Sequence, residues 1–335
     1  MIKTLIVDDS PLVRSIIRDF LESDGSFQII GEAVNGQDGL NKARQLNPDL
    51  ITMDVEMPVM NGLEAIVEIK KTVKTVIVVI TTVDTAKMAY DATVRGATEF
   101  FAKDLFTSHM SEEKRKEIIS TLKHITIVRG RPDAQQKEES VVSLTPRRIK
   151  CIVFAASTGG PNMLSQLCTV FPENFPVPIV LVQHNLSGFD RGFVQWLDGY
   201  TQLNVCLAEE GKMPEKGSLY VAPTDKHLLL GETGFIFDDG AAINNQKPAA
   251  DLLFKSAAEL YGDGLISVVL TGMGSDGAEG TRYVKQAGGI TIAQNEATSM
   301  VFGMPQAAAE TGCVDLVLSI GSIAVKILSL IKGNT

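Results

Sequence analysis

Short β-branched runs recur along the first hundred or so residues, each followed by a stretch whose apolar positions fall at helical spacing. The runs are Thr4 to Val7, Ile29 to Ala33, Leu50 to Met53, Val76 to Ile80 and Glu99 to Ala102. Runs that alternate with helical patterns predict a parallel sheet wrapped by helices, because strands covered on both faces are apolar throughout. The same alternation returns with Cys151 to Ala155, Ile179 to Gln183, Leu219 to Ala222, Leu265 to Leu270 and Ile290 to Gln294. Leu228 to Phe237 predicts a hairpin, Asp238 to Lys247 an exposed loop, and Ala249 to Glu259 a helix. Leu316 to Ile331 contains Gly321 and Lys326 and is too short to span a bilayer, so it predicts a strand and then a packed helix. The fold class expected is α/β, with two doubly wound parallel-sheet domains at 1–104 and 150–335. A helix near Ser111 to Lys123 and a polar linker fill 105–149.

Length agrees with this division, since 335 residues at about 150 per domain favour two cores. Charge sharpens it. The net of -9 separates into -5 over 1–104, +4 over 105–150 and -8 over 151–335. With no basic excess to neutralise phosphates, a nucleic-acid partner is not expected. The N-terminal apolar run is only a few residues long and ends in two carboxylates, so no signal peptide is expected, the cytoplasm is the expected location and no membrane insertion follows. Cys151, Cys168, Cys206 and Cys313 lack CxxC spacing and sit among apolar neighbours, which predicts buried free thiols rather than metal ligands.

Chemistry in parallel α/β sheets gathers at the carboxyl ends of strands. Asp8 and Asp9 end the first expected strand and Asp54 the third, so three carboxylates converge. Unpaired they repel, which makes physical sense if a hard cation such as Mg²⁺ sits among their oxygens. Thr81 and Lys103, ending the fourth and fifth strands, add a hydroxyl and an ammonium to the same edge. A phosphoryl group fits that mixture, with Asp54 as the attacking carboxylate. Any one of these carboxylates alone reads as a helix cap or a solvated strand end. Five positions in register do not.

In the second half, Cys151 to Ala156 is a buried strand that runs into Ser157-Thr158-Gly159-Gly160-Pro161 and a helix start, a turn suited to a nucleophile or a phosphate cradle. His184 follows the next strand as a candidate base. Thr271 to Gly280 wraps glycines around Asp276, which can orient the imidazole. Separately, an edge histidine, a helix-capping serine and a nucleotide loop are equally ordinary readings. Together they have the logic of a hydrolytic triad in which Ser157 attacks, His184 moves the proton and Asp276 fixes the tautomer. Backbone amides of the Met273 and Gly274 turn are the candidate oxyanion donors. Dinucleotide binding is the weaker competitor, because the fixed G-x-G-x-x-G pattern and a ribose-binding acid are missing.

Residues 1–104, including Met57-Pro58-Val59-Met60-Asn61-Gly62, resemble the response-regulator receiver domain. The resemblance implies that Asp8, Asp9 and Asp54 bind Mg²⁺ and that Asp54 accepts phosphate from a histidine kinase. Thr81, Lys103 and the aromatic Phe100 would then sense the acyl phosphate. Most of 150–332 resembles the catalytic domain of chemotaxis protein-glutamate methylesterases. Ala156 to Pro161, Gln183-His184, Val221-Ala222-Pro223, Leu253 to Ala257, Thr271 to Gly280, Gln294 to Thr298 and Gly303-Met304-Pro305 carry that likeness. It implies a flavodoxin-like receiver followed by a Rossmann-like domain, and hydrolysis of glutamate γ-methyl esters on the cytoplasmic helices of chemoreceptors. In some members receptor glutamine is also deamidated. No cofactor is expected for ester hydrolysis. The unphosphorylated receiver would cover the esterase cleft, and phosphorylation would relieve the block. The alternative is a phosphorylation-dependent receptor-binding module, supported by Asn185 and Leu186 where the family usually has Met-Pro. Asp104 likewise replaces the usual proline after the switch lysine.

Overall fold

Leu5, Ile6 and Val7 are almost wholly inaccessible to solvent, and a segment buried on both faces satisfies its backbone only by pairing with strands on either side. In the computed structural model, which describes residues 1–82, 85–106, 110–128 and 147–332, that segment is β1 (Ile2–Val7), flanked by parallel neighbours β2 (Phe27–Ala33) and β3 (Leu50–Met53). With β4 (Val76–Thr81) and β5 (Glu99–Ala102) it forms a five-stranded parallel sheet in the order β2-β1-β3-β4-β5. Helices connect successive strands. Of these α1 (Pro11–Glu22) is the clearest case, with Ser10 accepting the Val13 N–H as its cap, Pro11 in the first turn, and Ile17, Phe20 and Leu21 turned inward. The charged helix expected after the sheet forms as α5 (Glu112–Val128). Its Ile118, Ile119, Leu122 and Ile125 are buried, Arg115 lies over the Phe20 ring and Lys123 pairs with Asp24.

The chain separates into two compact units, Met1–Pro132 and Asp133–Thr335. The second is built on a seven-stranded parallel sheet in the order β14-β13-β12-β6-β7-β9-β8. Its strands are β6 (Cys151–Ala156), β7 (Ile179–Gln183), β8 (Asn204–Leu207), β9 (Ser218–Val221), β12 (Leu265–Val269), β13 (Ile290–Gln294) and β14 (Leu316–Leu318). The expected hairpin is β10 (His227–Gly231) with β11 (Gly234–Asp238), and the expected C-terminal strand and helix are β14 and α11 (Ile320–Ile331). Two further helices matter for the site, α8 (Ala250–Tyr261) and α9 (Ala278–Gln286). Among the described residues no helix is long and apolar enough to cross a membrane.

Two expectations change. Strand β8 was not anticipated, because four residues at a sheet edge, with Asn204 exposed and Cys206 half-buried, carry too little apolar pattern to stand out. Edge position also qualifies the cysteines. All four are free, but only Cys151 and Cys168 are buried, while Cys206 on β8 and Cys313 in the loop before β14 are half-buried. Most of the polar linker lies outside the described residues.

Candidate functional site

In each sheet the chain leaves its first strand in opposite directions, and loops from adjacent strands open a crevice at that switch point. In the first unit, the switch lies between β1 and β3. Oxygens of Asp8, Asp9 and Asp54 all fall within 4.8 Å of one another there. Asp8 and Asp54 are buried and Asp9 is exposed. Lys103 Nζ lies 2.7 Å from Asp54 Oδ2 and 2.9 Å from Asp8 Oδ2. Asp8 Oδ1 accepts the Ser10 N–H, and Asp54 Oδ1 accepts the Val55 N–H. Burial lifts the Asp54 carboxyl above its ordinary range; the Lys103 hydrogen bond pulls it back and the Asp8 charge adds to the lift. Burial would lower the Lys103 ammonium, but bonds to both carboxylates outweigh it and leave it raised.

Thr81 and Phe100 follow on β4 and β5. Thr81 is buried and shares a hydrogen bond with Thr85, while Phe100 is buried edge-on against Tyr90 with ring centroids 4.8 Å apart. One residue that sequence reasoning passed over is Arg14. Its Nη1 donates to the backbone carbonyls of Asp8 at 2.8 Å and Asp9 at 3.2 Å, and its Nε pairs with Glu32. It ties α1 to the acidic loop.

In the second unit the crevice opens around β6, which lies between β12 and β7. Ala156 pairs with Gln183, so Ser157 and His184 are the next residues on adjacent parallel strands. Asp276 arrives from the loop after β12, and its Oδ2 lies 2.8 Å from His184 Nε2. Asp276 also accepts N–H bonds from Ala250 at 2.7 Å, Asp251 at 3.0 Å and Gly277 at 3.0 Å. Burial works against its charge, yet the His184 bond, the His184 charge and the α8 amides together hold its carboxyl below the usual range. An ionised acceptor at Nε2 makes that nitrogen the N–H donor and leaves Nδ1 with the lone pair. Nδ1 is buried and has no hydrogen-bond partner among the described residues. The Gly272 turn that leads to Met273 and Gly274 passes against the serine, where a Cβ on Gly272 would lie 2.7 Å from Ser157 Cβ.

This arrangement can activate a hydroxyl with one imidazole whose far side is fixed by a buried carboxylate. The family model for CheB methylesterase matches residues 152–327, more than half of the chain. The chain belongs to the CheB methylesterase family. Residues 4–113 match the response regulator receiver domain, so the receiver precedes the methylesterase domain. Two proteins named protein-glutamate methylesterase/protein-glutamine glutaminase are similar throughout. The one from Pyrococcus horikoshii is 38% identical and covers 99% of this chain and 95% of its own length. The one from Thermotoga maritima is 36% identical and covers 99% of each. The crystal structure of the Thermotoga maritima CheB methylesterase catalytic domain is 41% identical, covers 56% of this chain and 99% of its own, and gives a TM-score of 0.53.

Two further residues of the methylesterase unit stand beside the triad positions without having been singled out by type or spacing. His227 is buried; its Nδ1 accepts the Ala249 N–H at 3.1 Å and its Nε2 donates to the Ala241 carbonyl, which anchors the chain entering α8. Asp251, also buried, has its carboxyl pushed up to about 6. Burial is the main cause; the Gly280 and Gly277 amides pull the value down, and the charges of Asp276 and Glu279 push it up. Because the folded value exceeds the ordinary 3.8, the folded chain holds this proton more tightly than the unfolded chain. That contribution to stability is complete at low pH and is lost as the pH rises through 6. Asp251→Asn should therefore melt about 3 °C or more above the wild type near neutral pH, with the gap closing by about pH 4. Thermal unfolding followed by circular dichroism across that range checks it, and a gap independent of pH would contradict it.

Proposed function

We propose that this methylesterase hydrolyses glutamate γ-methyl esters on the cytoplasmic helices of chemoreceptors, and that phosphorylation of Asp54 by a chemotaxis-type histidine kinase raises the rate. The observation that carries the reading is the His184 ring, held through Nε2 by Asp276 at 2.8 Å while Nδ1 is buried with no hydrogen-bond partner among the described residues, just past the strand paired with the one that runs into Ser157.

Ser157 Oγ attacks the ester carbonyl as His184 Nδ1 takes its proton. Asp276 keeps the Nε2–H in place and stabilises the imidazolium. The Met273 and Gly274 amides meet the developing oxyanion. Collapse of the tetrahedral intermediate breaks the bond to methoxide, Nδ1 returns the proton, and methanol leaves. Water, deprotonated by the same nitrogen, then attacks the acyl-serine and yields glutamate and free Ser157. A glutamine side chain enters the same sequence with ammonia as the leaving group.

In the receiver, three hard oxygen donors within 4.8 Å, one of them a buried Asp8 oxygen that lies 2.9 Å from the Lys103 ammonium, fit a small divalent cation. Asp8, Asp9 and Asp54 would hold Mg²⁺, which when bound offsets charge on the incoming phosphoryl oxygens. Lys103 stays beside the Asp54 carboxylate as it becomes an acyl phosphate, and Thr81 is the hydroxyl on the neighbouring strand end that the phosphoryl group can recruit. Phe100 is the aromatic that would respond. The site of action is the cytoplasm.

The product decides the reading. Methylated receptor incubated with the whole chain, Mg²⁺ and an acyl-phosphate donor should lose methyl esters at glutamate by mass spectrometry. A stable complex with unchanged ester content would instead mark a binding module.

A further inference from the structure

Asp276 and Asp251 each cap the other's helix. Asp276, in the turn leading into α9, accepts the first two amides of α8 from Ala250 and Asp251. Asp251, in the first turn of α8, accepts the Gly277 amide at 2.9 Å and the Gly280 amide at 2.7 Å, both at the start of α9. The Gly277 N–H is shared, at 2.9 Å to Asp251 and 3.0 Å to Asp276. Neither carboxylate can turn without releasing an amide that the other helps to hold. The two helix starts sit in close contact, since a Cβ on Gly280 would lie 2.6 Å from Phe254 Cβ and 3.1 Å from Asp251 Cα. The second Asp251 oxygen accepts the Asn244 side-chain amide at 3.3 Å. Asp251 touches neither His184 nor Ser157 through any of these bonds.

We propose that Asp251 is a positioning residue for ester hydrolysis: its carboxyl fixes the Gly277 turn and the α8–α9 crossing, which set the Asp276 oxygen that orients His184. The proposal rests on the triad reading given above. Loss of the Asp251 side chain frees the Gly280 amide and leaves Gly277 to Asp276 alone, so the turn relaxes and Asp276 Oδ2 drifts from Nε2. The imidazole then spends less time with Nδ1 aimed at the serine. This reduces the chemical step and leaves substrate binding alone, because the binding surface is not made by these buried groups.

The test uses the whole, phosphorylated chain and methylated receptor, with Asp251→Ala, Asp251→Ser, Asp251→Asn and Ser157→Ala compared with the wild type. Asp251→Ala should lower kcat by about 10²-fold, the scale of an ångström-sized misplacement, with KM unchanged. Asp251→Asn, whose side-chain oxygen can accept both glycine amides, should recover most of that loss. Asp251→Ser, whose hydroxyl is shorter, should fall between them. The His184 Nε2 proton resonance should be held in the wild type and Asp251→Asn and should shift in Asp251→Ala. Wild-type kcat and an unmoved resonance in Asp251→Ala would overturn the proposal, as would an Asn variant as slow as the Ala variant. If the Ala variant does not fold, equal kcat for Ser and Asn overturns it instead. Hydrolysis by Ser157→Ala at a rate near the wild type's would sink the triad reading itself, independently of the Asp251 series.

Discussion

Replacing Ser157 with alanine lowers kcat for ester hydrolysis by about 10⁴-fold or more and leaves the chain folded. The fold uses this residue through its backbone. Its N–H donates to the Thr271 carbonyl at 3.0 Å, and its own carbonyl accepts the Gly160 N–H at 2.7 Å and the Gln183 side-chain amide at 3.1 Å. Alanine keeps all three bonds and fits the half-buried space, so the melting temperature should move little. What disappears is the hydroxyl that would form the acyl-enzyme, and with it that route. Backbone amides at Met273 and Gly274 would remain, which is why a trace of hydrolysis above the uncatalysed rate is expected. Steady-state rates on methylated receptor, with unfolding curves for both proteins, check the two halves of the prediction.

Replacing Asp54 with asparagine abolishes phosphoryl uptake from an acyl-phosphate donor. The amide is nearly isosteric and its oxygen can still accept the Val55 N–H, but a neutral amide is no nucleophile toward phosphorus. Lys103 keeps its second anion, since Asp8 Oδ2 is 2.9 Å from the ammonium. Burial of Asp54 and the charge of Asp8 both oppose its ionisation, so removing that charge should not weaken the first unit. Ester hydrolysis without the donor should persist, and the donor should no longer raise it. Mass spectrometry of the intact protein after treatment with acetyl phosphate gives the answer. Phosphorylation of Asp54→Asn at the wild-type rate would place the acceptor elsewhere in the acidic cluster.

The strands that run into Asp8, Asp54, Ser157 and His184 were legible because each is largely a buried apolar run, and the first polar residue after such a run falls at the sheet edge. Asp276 was legible for a different reason, as one carboxylate in a loop of glycines. Other features depended on contacts that residue type does not reveal. Asp251 reads as an ordinary acid in the first turn of a helix, and its partners Gly277 and Gly280 become visible only when α8 and α9 cross. Arg14 acts on backbone carbonyls, which every residue carries. The choice of Nδ1 over Nε2 as base depends on the side from which Asp276 approaches, and this reverses the ring assignment of the serine-protease arrangement. Strand β8 had too little apolar pattern for its four residues to be seen.

On this reading one chain couples a phosphoryl switch at Asp54 to ester cleavage at Ser157. Methanol released from methylated receptor by the whole chain, with Mg²⁺ and with or without an acyl-phosphate donor, tests it most directly. Release is expected in both cases, faster with the donor, and at most a trace from Ser157→Ala. Absence of methanol under either condition, or identical rates with and without phosphorylation of Asp54, would contradict it.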